Sequence, residues 1–278
     1  MKASQACYAC LRKLAYQAAA LATEDEQLKS GAIERSLGVL KDNFSCDAVT
    51  ISIAARMHEA IKETTGNCDP YRAMKDTEIG VARELSAMSE LGCNSSRSCL
   101  KLAALGNAID FFRPIEAVKI DLKGSVDFVI DDSARFEDKL MNANKVLYLG
   151  DNAGEVCFDM PLIRWMRQFA RVTYVVKAAA VQNDVTLEDV RKAGLERELG
   201  DIITTGTATP GVVFDLASVE FKREFAAADL ILAKGMGYYE SLSELPTEGR
   251  VFYCLKAKCQ PVADSLGVLL NSYVALLR

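Results

Sequence analysis

Leu147-Tyr148-Leu149-Gly150-Asp151-Asn152-Ala153-Gly154-Glu155 is the stretch on which the reading of this chain turns. The run from Lys145 to Leu149 is β-branched, aliphatic and aromatic. It stops at Gly150, passes an acid and an amide, and gives way at Gly154 to an amphipathic run from Glu155 to Phe169. That order predicts strand, tight loop, helix. A strand's carboxyl end meeting a helix's amino end offers free backbone N–H groups and the positive end of a helix dipole, which suit an anion. Asp151 and Asn152 add adjacent oxygen ligands, which suit a hard cation. Metal plus phosphate is the joint reading; taken alone, the same residue types also make an ordinary turn followed by an N-cap.

Downstream of this junction the pattern repeats. Buried-strand candidates at Val146–Leu149, Val172–Val176, Ile202–Thr204, Leu230–Ala233 and Val251–Leu255 alternate with helical stretches, after a minor strand at Phe128–Ile130 and a helix at Ser133–Asn142. Such alternation predicts an α/β fold, a three-layer α/β/α arrangement around a mostly parallel, Rossmann-like sheet. Upstream the periodicity is helical: Ser4–Ala22, Glu24–Phe44, Asp47–Thr64, Pro70–Leu91 and Asn94–Phe112. Thr23 with Glu26 reads as a capping box and Pro70 as a first helical residue. The expected division is a helical lobe over 1–123 and an α/β metal- and phosphate-binding core over 124–278.

Composition narrows the function classes. A net charge of −5 argues against nucleic acid as a partner, and no apolar run reaches the roughly 18 residues of a membrane span. With no signal peptide visible, a cytoplasmic protein with a small-molecule ligand is the expectation. The chain holds a single histidine, His58, which rules out histidine-rich metal sites and reads as a helix surface or edge residue. Nine cysteines, an odd number, read as buried thiols or metal ligands in a reducing compartment. Cys7 and Cys10 share a helix face, yet no second CxxC completes a zinc set, so buried thiols are the favoured reading.

Ligands of open α/β sheets bind outside the carboxyl ends of the strands. Applied here, that rule collects Asp151 and Asn152, then Lys177 with Asn183 and Asp184, then Thr204–Thr207, Lys234–Glu240 and Lys256–Cys259. Asn107 and Asp110, polar on an otherwise apolar helical face, either bond to each other's backbone or line a pocket.

The ordered motifs resemble a known family. Leu149–Glu155, Gln182-Asn183-Asp184-Val185-Thr186, Ala233–Leu242 and Leu255–Cys259 look like signatures of the metal-dependent damage-control phosphatases, long called domain of unknown function 89, which include the acidic residue methyltransferase-like proteins. Cys7-Tyr8-Ala9-Cys10, Asp69-Pro70-Tyr71 and Gly106–Phe111 extend the likeness over the helical lobe, and the CxxC is similar to that of a prokaryotic-type branch. The resemblance implies hydrolysis of small phosphate monoesters, such as sugar phosphates or damaged phosphometabolites, with a divalent Mn, Co, Ni or Mg ion. It implies Asp151, Asn152 and Asp184 as metal ligands, Lys234 as the phosphate-binding cation, and Asn107 and Asp110 beside the substrate. Where many relatives carry Asn in the lysine-glycine motif, this chain has Tyr238.

In the resulting scheme Gly154 and the Glu155 backbone cap the phosphate at the helix terminus. Glu155 serves as base or orienting group, and either Asp151 or a water on the cation attacks. Oxygen ligation favours Mg or Mn, with Co and Ni able to substitute. Two alternatives stay open: a nucleotide-binding Rossmann-like protein without hydrolysis, although Gly150 and Gly154 lack the GxGxxG spacing, and a metal or redox protein using the cysteines.

Overall fold

The computed structural model describes residues 1–89, 93–108 and 126–278. Its amino-terminal part is a bundle of α1 (Gln5–Ala22), α2 (Glu26–Asn43) and α3 (Thr50–Thr65). On α1 the residues Leu11, Ala15, Ala18, Ala19 and Ala22 recur at helical spacing and are buried. Small side chains on that stripe let the neighbouring helices approach closely. The cap of α2 is Asp25, whose carboxylate accepts from the N–H groups of Gln27 (2.8 Å) and Leu28 (3.0 Å), so the expected Thr23–Glu26 box is replaced by a direct aspartate cap two residues later. Pro70 and Tyr71 form a turn that precedes α4 (Arg72–Ser89) rather than opening it.

α4 and α5 (Ser96–Ala108) leave the bundle and pack on the sheet. Ile79, Ala82, Leu85, Leu100, Ala103 and Ala104 belong to the same apolar cluster as β-strand side chains. The described helices up to Ala108 therefore fall into two packing units, the α1–α3 bundle and a pair of helices built into the α/β core.

The sheet consists of β1 (Phe128–Asp131), β2 (Lys145–Leu149), β3 (Arg171–Val176), β4 (Ile202–Thr204), β5 (Leu230–Lys234), β6 (Val251–Lys256) and β7 (Tyr273–Leu277), in the order β1-β7-β6-β5-β2-β3-β4. β6, β5, β2, β3 and β4 are mutually parallel, and β7 joins β6 antiparallel, in register from Phe252 against Leu277 to Lys256 against Tyr273. The strand β7 is absent from the sequence reading. Its five-residue apolar run at the chain end has no period that separates strand from helix.

Period-two alternation distributes the strand side chains to two faces. Val146 and Tyr148 face a cluster with Phe136 and Leu140 of α6 (Ser133–Met141), Phe158 and Ile163 of α7 (Val156–Met166), and α5. Leu147 and Leu149 face a second cluster with Phe221 and Phe225 of α10 (Val219–Ala227), Tyr239 of α11 (Gly235–Leu242), and Val262 of α12 (Gln260–Leu266). Two short helices, α8 (Leu187–Ala193) and α9 (Glu196–Leu199), complete the chain between β3 and β4. The result is the expected three-layer α/β/α architecture with a mostly parallel sheet. Among the described residues no helix is long and apolar enough to cross a membrane.

Strand order reverses between β2 and β5, since β2 connects onward to β3 on one side while β5 and β6 lie on the other. Such a switch leaves a crevice at the carboxyl ends of the two strands. Asp151 lies two residues past the end of β2, and Gly235 follows β5 directly.

Candidate active site

The loops after β2 and β3 are stitched together by their backbones. Ala153 N–H donates to Asn183 O (2.8 Å) and Val185 N–H to Asp151 O (2.8 Å), which sets Asn152 and Asp184 opposite one another in an isolated antiparallel bridge. Two side chains far apart in sequence are thereby fixed at one rim, and Asp151, Asn152 and Asp184 line a single cavity of about 470 Å³.

Around Asp151 the amides are committed. Asn107 Nδ2 donates to Asp151 Oδ2 (2.8 Å) and Glu155 Oε1 (2.9 Å), while its Oδ1 accepts from Lys256 N–H (3.2 Å). Asn152 Nδ2 donates to Glu155 Oε1 and reaches Asp151 Oδ2 at 3.3 Å. That arrangement ties the Asn152 nitrogen to carboxylates and leaves Oδ1 as the atom for a cation. Of the two expectations for Asn107, a bond to the Asp110 backbone or a place in a pocket wall, the second holds: it lines the cavity and reaches across to a distant strand. Asp110 lies outside the described residues.

Lys234 is fully buried. Its ammonium donates to Ala103 O (2.9 Å), Glu155 Oε2 (2.9 Å) and Asp159 Oδ1 (2.8 Å), which uses all three of its protons. Burial opposes its charge, but Asp159 and Glu155 outweigh burial and hold its pKa above the ordinary lysine range. The expected role of Lys234 on a phosphate oxygen is not met by this geometry: its side chain holds Glu155 and Asp159 in place behind the cavity. Lys258 lines the cavity instead. The helix terminus also differs from the expected anion cap. Glu155 N–H donates to Asn152 O (3.1 Å), so it is not free to cap an anion. Gly154 is packed so tightly that a Cβ there would lie 3.1 Å from both the side chain and the carbonyl oxygen of Glu78.

Two groups at the site, Glu78 and Asp159, are absent from the sequence analysis, and a third, Lys177, has no role there. Glu78, on α4, is buried and accepts from Asn183 Nδ2 (3.0 Å); burial raises its carboxyl to about 8. Asp159 lies one helical turn beyond Glu155 on α7, a spacing that was a usable signal for a shared face. Lys177 was collected by the strand-end rule without a role; it is buried, donates to Tyr238 OH (2.9 Å) and Gly211 O, and pairs with Asp184 Oδ2 at 3.4 Å. Tyr238, the departure noted in the lysine-glycine motif, is thus the hydrogen-bond partner of Lys177.

The electrostatics favour a cation. Glu155 and Asp159 pair with the buried ammonium of Lys234, Asp184 pairs with that of Lys177, and Asp151 feels both Glu155 and Asp184. Burial, then repulsion from Glu155 and Asp184, pushes Asp151 well above the usual carboxylate range. Burial likewise lifts Asp184 to about 6 against the opposing pull of Lys177. Asp184 Oδ2 is buried without a hydrogen bond of good geometry, its contact with Lys177 being a longer ion pair. A divalent ion between Asp151 and Asp184 would satisfy that oxygen and offset the repulsion. Among the described residues no group of three or more His, Cys, Asp or Glu side chains is placed to hold a metal. The candidate set therefore consists of two carboxylates completed by the Asn152 amide.

His58 lies away from this set. It is buried, edge-on to Tyr71 with ring centroids 5.8 Å apart, which corrects its expected surface position. Helix α3 buries Ile53, Met57, His58 and Ile61 together because it is covered on more than one side. Of the CxxC pair, Cys7 is buried but Cys10 is exposed, and both line the cavity with Cys259.

A family model described as the damage-control phosphatase ARMT1-like domain matches residues 3–274. The chain belongs to this family. It is 33% identical over 285 residues to the damage-control phosphatase PH1575 of Pyrococcus horikoshii, covering 99% of this chain and 98% of that protein. A damage-control phosphatase of Archaeoglobus fulgidus is 32% identical over 289 residues, covering 99% of each. The uncharacterized protein MJ0202 of Methanocaldococcus jannaschii is 34% identical over 295 residues, covering 100% of this chain and 96% of its own length. The crystal structure of PH1575, titled as a DUF89 family protein, superposes with a TM-score of 0.92 at 32% identity, over 100% of this chain and 99% of that one. Family membership thus agrees with the resemblance carried by the motifs.

Proposed function

We propose that the chain is a divalent-metal-dependent phosphatase acting on phosphate monoesters of small metabolites, a class that includes sugar phosphates and damaged phosphometabolites. The observation that carries the reading is that Asp151 and Asp184, from the bridged loops after β2 and β3, line one cavity. Relatives named damage-control phosphatases at 32% and 33% identity support the reaction class.

Asp151, Asn152 and Asp184 would hold the ion, and an all-oxygen set suits Mg or Mn, with Co and Ni as substitutes. When bound, a divalent ion supplies charge neutralisation at the phosphate oxygens and a lowered pKa for attacking water. The chain's own groups do the rest. Asn107 and Asn152 fix the orientation of the Asp151 carboxylate through its Oδ2. Glu155, which accepts from both amides and from Lys234, is a positioning residue: its hydrogen bonds occupy both oxygens. Lys258 brings a positive side chain to the cavity where the phosphate oxygens would lie.

The test is hydrolysis of p-nitrophenyl phosphate after chelation and readdition of Mn, Mg, Co or Ni. Turnover that returns with the ion and is lost in Asp151→Ala supports the reading. Retained turnover in Asp151→Ala, or none with any ion and any ester, sinks it.

A further inference from the structure

The cavity has two chemically different walls. Its polar end is made by Asp151, Asn152 and Asp184 at the sheet rim. Leu11 and Leu14 of α1, Ile51 and Ala54 of α3, and Met236 with Pro210 from the core supply the remainder. The thiols of Cys7, Cys10 and Cys259 add to that wall, and a free cysteine behaves as a small hydrophobe. Several polar groups along it are already engaged within the protein. Thr50 Oγ1 donates to Glu240 Oε2 (2.6 Å), the Gln260 amide donates to Asp264 Oδ1 (2.7 Å), and the Met1 ammonium is bonded to Glu240 O. Gln182, two residues before Asp184, belongs to the cation end by its place in the chain.

From this asymmetry we propose that the site selects phosphate monoesters whose leaving group is a mainly apolar alcohol, alkyl or aryl, over those of polyhydroxylated sugars. The proposal rests on the phosphatase reading for its polar end and narrows the substrate class. A sugar would set several hydroxyls against hydrocarbon with few free partners, at a cost for each unpaired group. An apolar chain would gain from the same wall. At roughly 30 Å³ for a water-sized group, a cavity of about 470 Å³ accommodates the phosphate and about ten further non-hydrogen atoms.

Kinetics with methyl, butyl, hexyl, octyl and decyl phosphate, set against glucose 6-phosphate, test this with the full chain and Mn. We expect kcat/KM to rise by up to about fourfold per methylene, the equivalent of ~0.8 kcal/mol per buried CH₂, and to level off as the cavity fills. Glucose 6-phosphate should fall well below hexyl phosphate. Ala6, exposed at the cavity wall, offers a second handle: Ala6→Phe should shorten the chain length at which the rise stops. Calorimetry with the corresponding alkylphosphonates, which are not cleaved, should show affinity rising along the series with increasingly negative heat-capacity change. Glucose 6-phosphate turned over as well as octyl phosphate, or a flat chain-length profile, would overturn the proposal while leaving the phosphatase reading intact. If no ester is hydrolysed the phosphatase reading falls, and the phosphonate series still decides the cavity: octylphosphonate bound no better than methylphosphonate overturns the proposal too.

Discussion

Replacing Gly235 by alanine separates backbone strain from damage to the site. Gly235 sits just after β5 with φ of +76°, and a Cβ built there would lie 1.9 Å from Asp151 Oδ2. Carbon and oxygen do not approach so closely, so the carboxylate or the loop would have to move by more than ~1 Å. Two costs follow. The left-handed backbone costs alanine about 1–2 kcal/mol of stability, and misplacing a reacting group by ~1 Å costs on the order of a hundredfold in rate. Gly249 is the control: its φ is +69°, yet a Cβ there meets nothing within 4 Å. Urea unfolding should show Gly235→Ala destabilised at least as much as Gly249→Ala. The metal-supported kcat on p-nitrophenyl phosphate should fall about a hundredfold in Gly235→Ala and stay near wild type in Gly249→Ala. Equal activity in the two variants would refute the claim that Asp151 must occupy its observed position.

The two lysines should part company: Lys234→Met strands the buried Glu155 and Asp159 carboxylates and should cost about 3–5 kcal/mol in urea unfolding. Lys258→Met, at an exposed residue, should leave stability within about 0.5 kcal/mol while lowering kcat/KM for phosphate esters. His58 carries an acid signature. Burial, then the nearby Lys62 charge, lowers its pKa from 6.5 to about 4, so the unfolded chain binds the extra proton between those values. Its contribution is present above pH 6.5 and is lost as pH falls toward 4, amounting to about 3 kcal/mol. Unfolding of His58→Leu followed over the same range should lack that part of the slope.

The sheet was legible wherever both faces of a strand are buried, because runs such as Val146–Leu149 and Leu230–Ala233 have few alternatives between turn signals. The loops that carry Asp151 and Asp184 were legible through the strand-end rule, which needs only the order of elements. What chain order does not carry is the destination of a long side chain. Lys234 stands at a strand end like a ligand-binding lysine, yet its ammonium turns back to Ala103, Glu155 and Asp159. Glu78 lies in a helix with no motif around it, and the packing of α4 against Gly154 brings it inside. His58 was misplaced for a related reason: the spacing of α3 does not reveal how many of its faces are covered. The Asp25 cap was within reach of the sequence, but Thr23 offered a competing pattern two residues earlier.

The claim under all of this is that Asp151 and Asp184 share one cation. Calorimetric titration of metal-free protein with Mn tests it without reference to turnover. One ion per chain in the wild type, with affinity reduced at least a hundredfold in both Asp151→Asn and Asp184→Asn, is the predicted result. Wild-type Mn affinity in a folded Asp184→Asn variant would contradict the shared site.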